Sequence, residues 1–422
     1  KADYKVQPGD AREDSPLWKP DKFPEVLGFV DGLKDICEKY HCTQPQLAVA
    51  FLLARGSDIN VICGARRVFQ IEDAGGRCGA GRERCEGDTG SNGKDWPVGS
   101  RGGTAMKKIL NEDTSKVVEE MLSGYLKAYE RYYDRVGECN AYLAKRRRRD
   151  KVALIIGGGS GHEPMFGGFV GEGLADGVAC GNIFASPNPQ LITETAKAAE
   201  QGKGVLFVYG CYAGDNMNFD MAEEMCDFED IKTAHVRVRD DCVSAPRERW
   251  KDRRGIAGMA YVIKVAGAAC DAGLELEEAV RVTEKARDSI ATIGVATSPG
   301  TIPGNDKPAF ELGEDEIEFG MGIHGEAGIE RTKMQPADKL VDRMYAELKS
   351  ELNLREGDET AVLVNGLGST PLLELDVVYN ELRKHLDMDG IKVFDSEIKT
   401  WCTCQEMGGF SITFLKLDDE LK

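Results

Sequence analysis

A chain of 422 residues is long enough for two or three domains with substantial cores. Its aromatic content of 7%, charged content of 30% and formal net charge of −18 describe an ordinary soluble composition and argue against nucleic acid or an anionic membrane surface as a partner, since both need a cationic face. The thirteen cysteines form no CxxC pair and an odd number cannot all pair internally, so reduced thiols and a cytoplasmic chain are expected; no run of about 18 apolar residues exists to span a membrane.

The opening Lys-Ala-Asp-Tyr-Lys has no hydrophobic signal core and no initiator methionine, from which residues ahead of Lys1 are expected. Residues 1–75 read as a separate piece, mainly helical: a helix over 23–40, a second over 44–55, a short strand over 59–63 and a helix start over 67–74. Residues 76–105 are rich in Gly, Arg and Cys with almost no aliphatic residues, so they are expected to form a disordered linker. From Met106 the pattern alternates between helix and strand. It predicts a long amphipathic helix over 114–133, a core strand over 152–156, a helix over 191–200 and a strand over 205–209. A helix over 217–227, a strand over 233–238 and a helix over 256–272 follow, completing a first α/β domain, 106–288. The only basic run, 145–149, reads as a solvated turn before the first core strand. A second α/β domain, 289–422, is predicted with strands over 290–295, 359–364, 391–394 and 410–417 and helices over 337–352 and 372–385.

Two histidine-bearing stretches punctuate this pattern. The first, 152–164, is Val-Ala-Leu-Ile-Ile-Gly-Gly-Gly-Ser-Gly-His-Glu-Pro. Five apolar residues make a buried parallel strand, and Gly157 to Gly161 are expected to turn the chain sharply at its carboxyl end, where open α/β sheets place ligands. Glycines bring backbone N–H groups close to a small ligand, and His162 offers a proton acceptor near neutral pH. No lysine follows, which excludes a Walker A loop. The second stretch, 318–329, is Glu-Phe-Gly-Met-Gly-Ile-His-Gly-Glu-Ala-Gly-Ile, with glycines on both sides leaving the His324 imidazole accessible. The remaining histidines, His41, His235 and His385, sit in helical or strand patterns and read as structural.

Taken with Gly181-Asn-Ile-Phe-Ala-Ser-Pro187, Tyr212-Ala-Gly-Asp-Asn-Met-Asn-Phe219, Arg253-Arg-Gly-Ile-Ala-Gly258, Asn365-Gly-Leu-Gly-Ser-Thr-Pro371 and Gly409-Phe-Ser-Ile-Thr413, these stretches resemble the substrate-binding K subunit of dihydroxyacetone kinase from about residue 106 to the end. The resemblance implies two α/β domains with a ketose site in the cleft between them. His324 would add to the ketone as a hemiaminal; His162 would take the proton from a terminal hydroxyl, which Asp215 would orient; Gly159, Ser160 and Gly161 would line the bound substrate. It also implies a homodimer that binds dihydroxyacetone or a similar short ketose and no metal. A separate L subunit would carry ADP or ATP with magnesium, and the phosphate would come from a phosphoenolpyruvate-dependent relay or from ATP. The chain itself holds no cofactor in this reading, since it has neither a P-loop nor the partner's aspartate cluster. Where the family often has a lysine and an asparagine ahead of the Tyr-x-Gly-Asp segment, this chain has Gly210 and Cys211, which leaves room for erythrulose. The family also includes coactivators that bind dihydroxyacetone without phosphorylating it.

Residues 1–75 resemble instead a carboxyl-terminal fragment of an aldo-keto reductase, through Gln44-Pro-Gln-Leu-Ala-Val-Ala-Phe-Leu-Leu53 and Val61-Ile-Cys-Gly-Ala-Arg-Arg67. Arg66 and Gln70 match residues that hold the adenosine phosphate of NADP, while Asp73 stands in place of the usual asparagine. The catalytic Asp, Tyr, Lys and His of that family are absent, and a (β/α)₈ barrel needs around 250 residues, so reductase activity is not expected. The segment reads either as a fusion of two modules or as read-through from an upstream gene.

Overall fold

The computed structural model describes residues 30–39, 42–53, 108–305 and 307–422. The chain divides into two compact units, Lys1–Ser100 and Arg101–Lys422. In the first, helices α1 (Lys34–Lys39) and α2 (Gln44–Leu53) fall within the two predicted helices. Thr43 and Gln46 cap α2 reciprocally: the Thr43 N–H donates to Gln46 Oε1 at 3.0 Å, and the Gln46 N–H donates to Thr43 Oγ1 at 3.3 Å. The strand predicted over 59–63, the helix start over 67–74 and the linker over 76–105 lie outside the described residues.

The second unit holds two six-stranded sheets. The first is built from β1 (Tyr133–Arg135), β2 (Ala141–Ala144), β3 (Ala153–Ser160), β4 (Gly177–Ile183), β5 (Val205–Gly210) and β6 (Thr233–Val238), in the order β1-β2-β4-β3-β5-β6. Strands β4, β3, β5 and β6 run parallel, and the β1–β2 hairpin closes the β4 side antiparallel. Helices α3 (Val117–Ala128), α4 (Pro189–Ala199), α5 (Ala213–Asp227), α6 (Met259–Asp271) and α7 (Leu276–Asp288) accompany it. The second sheet contains β7 (Ile290–Ser298), β8 (Glu316–Phe319), β9 (Glu330–Lys333), β10 (Glu359–Gly366), β11 (Lys392–Lys399) and β12 (Gly408–Leu417), in the order β11-β10-β12-β7-β8-β9. Only β10 and β11 pair in parallel there. Its helices are α8 (Ala337–Glu351) and α9 (Leu372–Met388). The architecture is α/β with two sheets, as the sequence pattern implies.

Strand β3 departs from the sequence reading in an instructive way. The glycines were expected to form a turn, yet β3 continues through Gly157, Gly158 and Gly159 to Ser160, and only Gly161, at φ +102°, bends the chain. The physical reason is crowding. A Cβ at Gly157 would stand 2.7 Å from the Ala179 carbonyl oxygen, one at Gly158 2.1 Å from the Phe166 ring, and one at Gly159 2.7 Å from the Ala185 nitrogen. Missing side chains, not special dihedrals, let β4 and the following loop press against β3. Strand β4, unpredicted, is hidden from periodicity by the same economy: Gly177 and Gly181 have no room for a Cβ.

The predicted 114–133 helix is likewise shorter. A 3₁₀ turn, Thr114–Lys116, capped by Asp113, leads into α3, which ends at Ala128. Tyr133 enters β1, where its ring stacks on Tyr125 at 5.6 Å. Beneath the sheet, Lys151 is buried and held by Asp176 at 2.7 Å and Asp271 at 2.9 Å, so a charge that would be costly alone is neutralised. Among the described residues, no helix is long and apolar enough to cross a membrane.

Candidate active site

The parallel strands of the first sheet end on the side where the second sheet's loops arrive. Beyond Ser160 the turn at Gly161 delivers His162 into the interior, 1% exposed. Its Nδ1 lies 2.6 Å from the carbonyl oxygen of Thr403, in the loop between β11 and β12. A carbonyl only accepts, so Nδ1 carries the proton and Nε2 keeps its lone pair. That Nε2 is buried without a protein partner. Burial, and then the neighbouring His324, push the imidazole pKa down to about 3, so it is neutral at physiological pH.

His324 sits in the loop between β8 and β9. Glu326 grips it twice: its Oε1 is 2.9 Å from Nδ1, and its Oε2 accepts the backbone N–H of His324 at 2.9 Å. Burial alone would raise the Glu326 carboxyl, but the hydrogen bond and charge of His324 outweigh it and bring it to about 2. A carboxylate on Nδ1 holds a proton there, so in the neutral ring Nε2 is the atom that carries the lone pair. The positive φ of Gly325, +82°, lets the chain fold back so that Glu326 meets His324 two residues away. The ring is walled by His162 (centroids 4.7 Å apart), Tyr212 (4.6 Å) and Phe184 (5.3 Å), all edge-on.

Asp215 completes the group from the first turn of α5, which begins four residues earlier than predicted, with Tyr212 as its N-cap. Asp215 is therefore inside the helix and does not cap it. Its carboxyl is buried with Oδ1 unpartnered, and burial pushes its pKa up to about 6. The Tyr212 hydroxyl and Asn216 Oδ1 are also buried without partners. Buried polar atoms without partners, carried on residues that include Tyr212 against the His324 ring, are what a small polar ligand would satisfy.

The structure thus brings His162 and His324 together, with the Asp215 carboxyl within electrostatic range of His324. It treats the other expected lining residues differently. The Ser160 hydroxyl donates to the Gly181 carbonyl at 2.7 Å, and the Gly161 N–H donates to both Glu163 carboxylate oxygens at 3.0 and 3.1 Å. Gly159, with Gly158 and Ser160, borders a separate apolar cavity of about 580 Å³ against Tyr125 and Tyr142. His235 and His385 are tied up structurally, by Glu223 and Asp342, each at 2.8 Å; His41 lies outside the described residues. Sequence reasoning missed Glu326, Thr403 and Arg254. Glu326 was visible as the acid two residues after His324. Arg254 bridges the two halves, donating through Nε to Asp241 at 2.9 Å and through Nη2 to the Gly320 carbonyl at 3.0 Å.

Residues 123–422 match the model of the Dak1 domain. The chain belongs to the Dak1 family. It is 44% identical over 315 residues, 75% of this chain and 95% of the relative, to the dihydroxyacetone-binding subunit DhaK of PTS-dependent dihydroxyacetone kinase 1 from Listeria innocua. It is 41% identical to a D-erythrulose kinase of Mycolicibacterium smegmatis, covering 75% of this chain and 54% of that enzyme. Among solved structures, the dihydroxyacetone kinase operon co-activator Dha-DhaQ superposes with a TM-score of 0.67 at 29% identity, covering 71% of this chain and 93% of that one. The Dak1 match and these kinase relatives make this a kinase-related chain. It also shares its fold with a co-activator.

Proposed function

We propose that this chain is the ketose-binding subunit of a dihydroxyacetone kinase, which captures its substrate covalently and presents a hydroxyl for phosphorylation. One observation carries the reading: two imidazoles whose ring centroids lie 4.7 Å apart, each with Nδ1 committed to a fixed oxygen, so that both Nε2 atoms are left for chemistry.

In this mechanism the Nε2 lone pair of His324 adds to the polarised carbonyl carbon of the ketose. The C=O π pair moves to oxygen, and positive charge develops on the ring, where Glu326 stabilises it through Nδ1. Loss of the Nδ1 proton and protonation of the alkoxide complete a neutral hemiaminal. Glycerol, which has no carbonyl, cannot form the adduct, so selection against it needs no fine fit. The tethered ketose then extends a terminal hydroxyl toward Asp215, whose buried carboxyl orients it, and toward His162 Nε2. His162 accepts the proton as the oxygen attacks phosphorus, and the Thr403 carbonyl stabilises the imidazolium formed. The phosphoryl group comes from a separate nucleotide-bearing L subunit, and this chain supplies position and proton transfer. Gly159, Ser160 and Gly161 shape the wall beside His162.

A second substrate reading has its own support. Gly210 ends β5 and Cys211 follows, with its Sγ 3.5 Å from Asn216 Nδ2, so no cation fills the place of the family's lysine. The D-erythrulose kinase among the relatives supports erythrulose, one carbon longer, as this second substrate. A dihydroxyacetone-binding co-activator needs only the capture step, and the retention of His162 and Asp215 favours the kinase over it. The experiment combines the full chain with a purified L subunit and phosphoryl donor, offers dihydroxyacetone or erythrulose, and reads both ketose phosphate and the intact-protein mass. A ketose-sized adduct is expected on the full chain and none on His324→Ala, whose circular dichroism should be unchanged. An adduct surviving that substitution removes His324 from its role, and an adduct without phosphate transfer favours the co-activator.

A further inference from the structure

Beside the site lies a feature the ketose chemistry does not use. A 3₁₀ segment, Arg247–Asp252, overhangs the carboxyl ends of β5 and β6 and is exposed throughout. It is stitched to the site's rim. The Lys251 carbonyl lies 3.9 Å from Cys211 Sγ, and just beyond the segment Gly255 packs so closely on Gly210 that a Cβ there would stand 2.6 Å from the Gly210 Cα. Cys211 is followed by Tyr212, whose ring walls His324.

The segment's charge is unusual for a chain of net charge −18. The segment sets Arg247, Arg249 and Lys251 against Glu248 and Asp252, a small positive excess; Arg249 has Asp252 at 3.8 Å, but among the described residues no carboxylate oxygen lies within 4 Å of a side-chain nitrogen of Arg239, Arg247 or Lys251. Arg239 spends its Nε on the Lys251 carbonyl at 3.1 Å, which fixes the segment's shape without neutralising the guanidinium. In the middle stands Trp250, 36% exposed, with the Arg239 guanidinium 5.4 Å and the Lys251 ammonium 5.9 Å from its ring, and with Arg287, itself paired with Glu284 and Asp288, also at 5.4 Å. A half-exposed tryptophan among arginines is the composition of an interface anchor, and uncompensated cations on an otherwise acidic surface attract an anionic partner.

We propose that Arg247–Asp252, with Arg239 beneath it, is the docking edge for the phosphate-bearing face of the phosphoryl-donor protein. This rests on the kinase reading, because it is that reaction that brings a nucleotide-carrying protein to this rim. A donor presenting phosphates would be repelled by most of this chain's surface and guided by the cations bordering the acceptor hydroxyl. Trp250 supplies the apolar contact that holds the complex after electrostatics have steered it.

The test uses the full chain, the double variant Arg247→Glu with Lys251→Glu, and Trp250→Ala. The probe is the purified nucleotide-loaded L subunit of a PTS-dependent dihydroxyacetone kinase. Binding is measured by biolayer interferometry at low and high salt, and the ketose adduct by intact mass. The charge reversal is expected to weaken binding at low salt by about tenfold or more, with the gap closing as salt screens it. Trp250→Ala should weaken binding at both salt levels, and the adduct should form equally on all three proteins. Equal binding by the parent and the reversed variant, or no binding by the parent, overturns the docking edge. Loss of the adduct on the parent overturns the ketose reading instead, so the two failures are distinguishable.

Discussion

Replacing His162 by asparagine separates the two histidines' jobs, and the structure sets both the chemical and the thermodynamic outcome. An asparagine amide can donate to the Thr403 carbonyl as His162 Nδ1 does at 2.6 Å, but it has nothing in the place of Nε2. The adduct on His324 should therefore persist while phosphoryl transfer falls by about 10² or more, the usual contribution of a general base. The same substitution changes how stability depends on pH. In the folded chain burial holds His162 near a pKa of about 3, against 6.5 when exposed. Unfolding at about pH 5 therefore takes up nearly one proton at this residue, which favours the unfolded chain by about 2 kcal/mol; at about pH 7 the penalty is only a few tenths. The sign is fixed: the unfolded state binds more protons, so the parent loses this stability as pH falls through 6.5, and the variant, with nothing to protonate, does not. Urea unfolding of both proteins at the two pH values should show the gap between them moving by about 2 kcal/mol in the variant's favour at the lower pH. A gap that stays constant would mean that His162 is not held neutral. Turnover reduced by less than about tenfold would remove the general-base role.

Three further outcomes are expected. Glu326→Gln keeps a side chain that can accept from His324 Nδ1 but removes the charge that offsets the developing imidazolium; adduct formation, followed by time-resolved intact mass, should slow by about tenfold, and an unchanged rate would show the carboxylate to be structural only. Gly158→Ala places a Cβ against the Phe166 ring and should lower stability by about 1–3 kcal/mol in urea, whereas a neutral result would contradict the close approach of that ring to β3. A chain beginning at Met106 carries both sheets and all three site residues, so it should remain soluble and form the ketose adduct like the full chain; an insoluble product, or one without the adduct, would assign residues 1–105 a part in the fold.

What could be read from the sequence was what glycine and histidine announce locally. His162 and His324 each stand in a glycine-rich run, whereas Asp215 could be named only because its segment, Tyr212 to Phe219, resembles that of the kinase family. Sheet two's predicted strands and helices also emerged, because their apolar runs are long: β10 and β12 are buried along nearly all their length. Legibility failed where a role rests on the backbone or on small residues. Thr403 serves the site through its carbonyl, which every residue has, so nothing in its side chain could signal it. Strand β4 has too few large apolar residues for a period, and helix α7, though amphipathic, fell where a domain end was expected. Arg254 lies in the Arg253 to Gly258 motif, yet its partners, Asp241 and the Gly320 carbonyl, are 13 and 66 residues away.

The misread glycines explain why the site can be narrow and stiff at once. As a turn beyond the strand, Gly157 to Gly161 would hold His162 only through a loop, and in the proposed mechanism a base that meets a tethered hydroxyl needs closer placement: a misplacement of about 1 Å can cost a factor of 10² in rate. As part of β3, Gly157 to Ser160 are pinned on one flank by β4, while β5 pairs only the strand leading into them, up to Ile156, and the missing side chains let the Phe166 ring and the Phe184–Ala185 backbone close in against the strand. Phe184, placed by its N–H bond to the Ser160 carbonyl at 2.9 Å, then stacks on His162 at 4.9 Å and stands edge-on to His324. One feature, glycine where a Cβ would collide, therefore sets strand spacing, packs the aromatic wall and fixes the distance between the two imidazoles. A side chain added at Gly158 or Gly159 should consequently act on catalysis as well as stability, through a site that still holds every reacting group but holds them apart.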